Sequence, residues 1–376
     1  MARALDGLRV LDISTSVAGA WCSRMLADFG ADVVMVEAPG GSPLRQLAPL
    51  DADGASIPAA YYLANKRSVT LDIASSVGRE QALRLGRACD VVVSGLQPAA
   101  EAAAGIAYTD FASETLIMAH VTPYGMTGER ADLPGNDLTA AALSGWAYIN
   151  GQMEHEPLKL HGWQASLCAG SLAYSGVLAA LHWREGHPGE GQEVDVAEVD
   201  ALVSTFAPAL LRGQYVGTPQ ERRKDADMTA GPVPVADGYF ALTISRAHFW
   251  RDSMNLLGLH DLADDERWGS SEYRAQHKQE YVTRVQAAMA TWTKMHLFEE
   301  LSARRVIAGP VLSMEELTEN PHLRAREFWV RPDGAEAEFA GRPVKMSRTP
   351  WDLQTRAPEP GANTEQVLGA VTEAAR

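Results

Sequence analysis

Cysteine is scarce in this chain: Cys22, Cys89 and Cys168 are the only three among 376 residues. Three scattered thiols exclude a disulfide framework and a four-ligand zinc site, and they fit a reducing, cytoplasmic setting. Ten histidines are dispersed, with no pair at metal-ligand spacing, so no metal is expected. Cations are outnumbered, 33 Lys and Arg against 48 Asp and Glu, for a net charge of −15. That balance argues against nucleic acid or an anionic membrane as a partner. No apolar run reaches bilayer length, and the opening MARALDGLRV has no signal-peptide core. There is no GxGxxG after the first apolar run, no Walker loop, no internal repeat and no low-complexity tract.

What is present is an ordinary globular composition, 46% hydrophobic and 22% charged, in a chain long enough for two domains. Residues 8–14 (LRVLDIS) are a short apolar run suited to a buried strand, 18–29 have helical spacing, and 32–37 (DVVMVE) form a second strand. Residues 78–88 read as helix, and 90–93 and 116–121 as strands. This β-α-β alternation predicts an α/β fold: a Rossmann-like large domain with a parallel sheet. Helices are expected over 136–149, 166–186 and 196–213. Residues 214–234, with three Pro, two Gly and the run ERRKDAD, read as a linker. The expected division is 1–213 for the first part of the large domain and 235–318 for a smaller α+β domain. Residues 319–376 then return to complete the large domain. Phe249 and Trp250 stand at helical spacing with Met254 and Leu257 and are expected in a core.

Several segments carry a more specific signal. GLRVLDISTSVAGAWCSRMLADFGADVVMVEAPGG (7–41), NKRSVTLDI (65–73), CDVVVSGLQP (89–98) and LIMAHVTPYGMTGERADLPGNDLTAAALSG (116–145) are followed by GWQASLCAGSLAYSGVLAALHWREGHPGEGQEVDVAEVDAL (162–202). In this order and spacing they resemble the family III CoA-transferases of the formyl-CoA and carnitine CoA-transferase type, a superfamily that includes the α-methylacyl-CoA racemases. DGYFALTISRAHFWRDSMNLLGL (237–259), AGPVLSMEELTENPHLRAREFW (308–329) and RPVKMSRTP (342–350) extend the likeness toward the C-terminus. The resemblance implies coenzyme A or an acyl-CoA as substrate, a carboxylic acid as the other substrate, and no covalently bound cofactor. It also implies an interlaced, ring-like dimer.

In that family an aspartate nucleophile stands four residues before the first glycine of the helix and ten before its GILAAL-like run. Counted from Gly170 and from Gly176, both distances end on Ser166. Serine accepts an acyl group only with an activating base, and none is evident in the motif: Gln164 is an amide, and Cys168 lies on another helix face. A small filler in place of a lost aspartate, an acyl-serine and a substitute thiol at Cys168 all stay open. Asp195 and Asp200 match the family's VDVxxxDA strand and helix, a structural position. Asp137 aligns with an acid that shapes the acyl pocket. The racemases pair a histidine with that acid, and only Asp137 of the set is kept here.

The resemblance places the CoA contacts at the turn of Val17 and Ala18, which also reads as a plain tight turn, at Leu71 of the SVTLD signature and at Leu96. It places them too at Asn65, Lys66 and Arg67, a group equally readable as a solvated basic turn. Ala38, Ala74, Gly95 and Ala103 stand where the family carries polar or cationic residues for CoA. His155 and His161 flank the loop before the Ser166 helix and line either a pocket or the surface.

Three readings follow. The chain is a degenerate subunit of a heteromeric CoA-transferase whose paralogous partner keeps the aspartate. Alternatively, it is a self-sufficient CoA-transferase or acyl-CoA enzyme with a diverged nucleophile. Or the fold has been recruited for binding or chemistry without CoA. The first and second imply a heterodimer and a homodimer respectively.

Overall fold

The computed structural model describes residues 3–222, 232–243 and 247–374. The chain divides into two compact units, one built from 1–151, 156–222 and 324–376, the other from 152–155 and 223–323.

The larger unit is built on six strands: β1 (Arg9–Asp12), β2 (Asp32–Glu37), β3 (Arg67–Thr70), β4 (Val91–Ser94), β5 (Ile117–Thr122) and β6 (Gln192–Ala197). They lie side by side in the order β3-β2-β1-β4-β5-β6, and every neighbouring pair is parallel. β1, β2, β4 and β5 are Val- and Ile-rich runs without alternation, as strands covered on both faces require. One face packs on Cys22 and Leu26 of the helix Val17–Asp28 and on Ala169, Ala173 and Val177 of the helix Gln164–Gly186. The other packs on Ala82, Leu83 and Leu85 of the helix Ser76–Arg87, with Phe111 and Val367. The strand order reverses between β1 and β4, the place in doubly wound sheets where a crevice opens beyond the carboxyl ends of the strands.

The helix Gln164–Gly186 is 23 residues long and, by length and composition alone, long and apolar enough to cross a membrane. That corrects the reading of the sequence, in which its interspersed Ser and Tyr hid the run. Ala169, Ala173, Val177 and Ala180 bury one face of it in the core of the unit. Gly170 lets this helix cross the helix Val17–Asp28 closely, because a Cβ there would run into the Ala18 carbonyl oxygen.

Two expected helices are broken. The span 136–149 is two pieces, Asp137–Leu143 and Trp146–Ile149, because Gly145 turns left-handed at φ +82°. The span 196–213 opens inside β6 and continues as Glu198–Thr205 and Ala207–Val216, interrupted at Phe206 where Pro208 enters the next first turn. That last helix takes up residues 214–216 of the expected linker, of which 223–231 lie outside the described residues.

The larger unit is pinned by a buried charge network. Lys66 Nζ, immediately before β3, contacts Asp12 Oδ2 of β1 at 3.0 Å, Ser23 Oγ at 2.8 Å and the Ala20 carbonyl at 2.9 Å. The two charged side chains are 0% and 3% exposed. Asp12 Oδ1 also accepts from the backbone N and Oγ of Ser14. A second staple is Asn65, held at φ +66°. Its amide reaches Asp28 Oδ1 and the Asp352 carbonyl, while its Oδ1 accepts from Gln354 N and Thr355 N. The chain runs on along the free edge of β3: Ser68 N and Thr70 N donate to Asn363 Oδ1 and Thr364 Oγ1.

The smaller unit is described by itself. Its antiparallel sheet has the order β7 (Val233–Val235), β8 (Gly238–Thr243), β9 (Ile307–Val311). Helices cover it around a core that includes Phe240, Phe249, Trp250, Met254, Leu257 and Tyr281.

Removing one partner of a buried ion pair strands the other charge, at a cost of about 3–5 kcal/mol. Lys66→Met is therefore expected to lower stability by roughly that amount, read as a reduced urea midpoint at pH 7. Arg67→Met, beside it but at the surface, is expected to change stability by less than about 1 kcal/mol.

Candidate active site

The residues singled out for ligand contact separate into two groups in the fold. Val17 and Ala18 open the helix after β1, Leu71 follows β3 and Leu96 follows β4, so all four gather at the carboxyl ends of the strands. Ala38 and Gly95, directly after β2 and β4, and Ala74, just beyond β3, lie at the same end. Val17 is buried in a cluster with Tyr62, and Trp163 and Leu167 from the start of the Gln164–Gly186 helix pack on it.

Asn65, Lys66 and Arg67 do not join them; their side chains are paired elsewhere in the fold. Lys66 spends its ammonium donors on Asp12, Ser23 and the Ala20 carbonyl in the interior. Burial pushes its pKa down while Asp12 holds it up. Asn65 is consumed by the return of the chain. Arg67 turns back to Asp32, the first residue of β2, in a two-pronged pair at 2.9 and 2.5 Å. A basic triplet in sequence is thus one internal cation, one staple and one ion pair directed away from the carboxyl ends.

Ser166 lies in the first turn of its helix and is 4% exposed. The residue at the N-cap, Trp163, offers no side-chain acceptor. Asp137, itself the first residue of another helix, supplies it: Oδ1 accepts from Ala165 N at 2.8 Å and Ser166 N at 3.2 Å. Its Oδ2 is 3.0 Å from Lys159 Nζ, which also donates to the Leu160 and Gly162 carbonyls. Both oxygens of Asp137 are committed. This makes it a cap borrowed from a neighbouring helix.

The sequence offered no base for Ser166; the fold supplies a carboxyl. Ser166 Oγ donates to Glu198 Oε1 at 2.8 Å. Glu198 follows β6 directly, opens the helix Glu198–Thr205 and is 4% exposed. Its Oε2 is buried with no hydrogen-bond partner. Burial raises its pKa; the Ser166 hydroxyl works against that shift, and the nearby Asp137 charge adds to it. Glu198 escaped sequence reasoning because it lies 32 residues from Ser166 inside a motif with a structural explanation.

The remaining candidates are occupied or exposed. Cys168 Sγ faces the Ala201 carbonyl at 3.7 Å, and burial pushes its pKa up, so it is no activated thiolate. Asp195 accepts from Met126 N and fastens the loop after β5. Asp200, His155 and His161 are exposed. Among the described residues no group of three or more His, Cys, Asp and Glu could hold a metal ion.

Fold and site together define a doubly wound α/β protein in which Ser166 and Glu198 meet at the carboxyl end of a parallel sheet. Residues 5–364 match the model of CoA-transferase family III, and the chain belongs to that family. It is 33% identical to the succinate–glutarate CoA-transferase of Agrobacterium fabrum, over 97% of this chain and 94% of that one. It is 31% identical to the succinyl-CoA:(R)-benzylsuccinate CoA-transferase subunit BbsE of Thauera aromatica, over 98% and 94%. A crystal structure of a CAIB/BAIF family protein from Brucella suis superimposes with a TM-score of 0.90 at 26% identity, covering 99% of this chain and all of that one.

A carboxyl whose folded pKa is raised loses stabilising value as pH climbs from its unfolded pKa, near 4.5, through the folded one. Glu198→Gln removes that loss. The expected result is a variant whose stability relative to the native chain rises from pH 4 to pH 8, measured as urea midpoints. A difference that is flat or falls with pH would refute the assigned shift.

Proposed function

We propose that this protein exchanges CoA between an acyl-CoA and a carboxylic acid at a site of its own, with a diverged nucleophile. The observation that carries this reading is a buried carboxyl group, Glu198, hydrogen-bonded to Ser166, where the resemblance puts the family aspartate. A covalent acyl transfer needs a carboxylate at this place, and a chain relieved of that chemistry has no reason to hold an uncompensated carboxyl out of water. The two curated relatives named above act, by their names, on succinate or succinyl-CoA, so succinyl-CoA is the donor to test first, with a short dicarboxylate as acceptor. Val17, Ala18, Leu71 and Leu96 are the positions proposed to meet CoA. The protein is proposed to work as an interlaced dimer, a reading supported by a larger unit that the chain leaves near residue 222 and re-enters near 324.

A second reading keeps the chain as one subunit of a heteromeric transferase whose unlike partner provides the aspartate. Ala38, Ala74 and Ala103 favour it, since none offers a charge to CoA, and Lys66 is spent internally. So does the relative BbsE, which is named as a subunit.

The test is calorimetric titration of the purified protein with CoA and succinyl-CoA, after its mass in solution has been measured. Micromolar binding by a homodimer, with succinate-dependent CoA exchange, is the expected result. No binding until an unlike CoA-transferase chain is added would establish the second reading, and no binding in either state would refute both.

A further inference from the structure

Among the described residues Glu198 Oε2 is the only buried carboxylate oxygen that no donor reaches. It belongs to a side chain already joined to Ser166, the position of the family nucleophile. We propose that Glu198 is the relocated nucleophile, forming the covalent acyl and CoA intermediates at its own carboxyl, and that Ser166 is its positioning residue. This rests on the reading of the chain as a CoA-transferase acting at its own site.

Elimination within the site favours Glu198. Asp137 accepts two backbone N–H groups on one oxygen and pairs with Lys159 through the other, so neither is free to attack a carbonyl. Ser166 Oγ lies 2.8 Å from Glu198 Oε1. Serine is shorter than aspartate, and glutamate extends from the adjoining helix into reach of the vacated place. The carboxyl function is thus shifted by one hydrogen-bond length and enters from β6 rather than from the 164–186 helix. The Ser166 hydroxyl holds Oε1, which fixes the carboxylate plane and leaves Oε2 as the reacting oxygen. The N-terminal end of Glu198's own eight-residue helix favours the ionised form. Burial of Oε2 means that substrate reaches it only by displacing what covers it. The same cover shields a reactive anhydride from water.

The chemistry closes without a further reactant. Oε2 adds to the thioester carbonyl, the C–S bond breaks, and CoA leaves as thiolate, giving a mixed anhydride of Glu198 and the acyl group. The thiolate then attacks the Glu198 carbonyl carbon. The anhydride C–O bond breaks, the first carboxylate departs, and Glu198 carries CoA as a thioester. The accepting carboxylate runs the two steps in reverse, which regenerates the Glu198 carboxylate with no net change in protons or electrons.

The experiment incubates the full protein with succinyl-CoA, quenches one half directly and the other in hydroxylamine, and maps both by peptide mass spectrometry. A hydroxamate on Glu198 is expected, together with a fall in exchange rate of about a thousand-fold or more in Glu198→Gln while succinyl-CoA affinity stays within a few-fold. Ser166→Ala is expected to keep the Glu198 label and to move the acid limb of the kcat profile to higher pH, because the hydrogen bond that favours the carboxylate is gone. Should Glu198→Gln fold poorly, Ser166→Asp/Glu198→Gln provides the second test, with exchange restored and the label moved to position 166. A succinyl ester on Ser166, or full exchange by Glu198→Gln, overturns the proposal and leaves the CoA-transferase reading intact. So does binding of succinyl-CoA with no label on any residue. Failure to bind succinyl-CoA at all, measured separately, overturns the underlying reading as well.

Discussion

The ion pair of Lys66 and Asp12 is the constraint on which the larger unit depends. It ties the end of β1, the helix that follows and the approach to β3 to a single point in the interior. Such a pair is tolerated out of water only when its remaining hydrogen-bonding capacity is met. Here Ser14, Ser23 and the Ala20 carbonyl meet it. The geometry that satisfies the lysine also fixes where the first helix begins, and so where Val17 and Ala18 present their backbone at the carboxyl ends of the strands.

The same rule, that buried charge must be answered, distinguishes the two carboxyls near Ser166. Asp137 is answered fully, by two backbone N–H groups and a lysine, and has become part of the scaffold. Glu198 is answered on one oxygen only. That half-paired carboxyl is the observation on which the proposed reaction at Glu198 rests.

Much of the architecture was legible in the sequence because it rests on local period. The continuous Val-rich runs of β1, β2, β4 and β5 and the helical spacing after β1 sit within a residue or two of where pattern placed them. Ser166 was singled out by counting from two glycines, one of which, Gly170, is required by a close helix crossing. What escaped depends on contacts remote in the chain. Lys66 in sequence looks like one of two exposed cations, and only the fold sets Asp12 beside it. Asp137 caps a helix that starts 27 residues later, and the carboxyl that answers Ser166 arrives from beyond another strand. The breaks at Gly145 and Phe206 were hidden because the periodicity continues across them while the backbone does not.

The staple at Asn65 joins positions that are nearly 300 residues apart along the chain. During synthesis β3 is made long before the segment that lines its outer edge, which lies some 295 residues further along the chain. Until then the sheet ends in a row of unsatisfied backbone groups, a template for joining with another nascent chain. For this protein, completion of the sheet edge waits on residues made some 290 positions later rather than on the formation of its first strands.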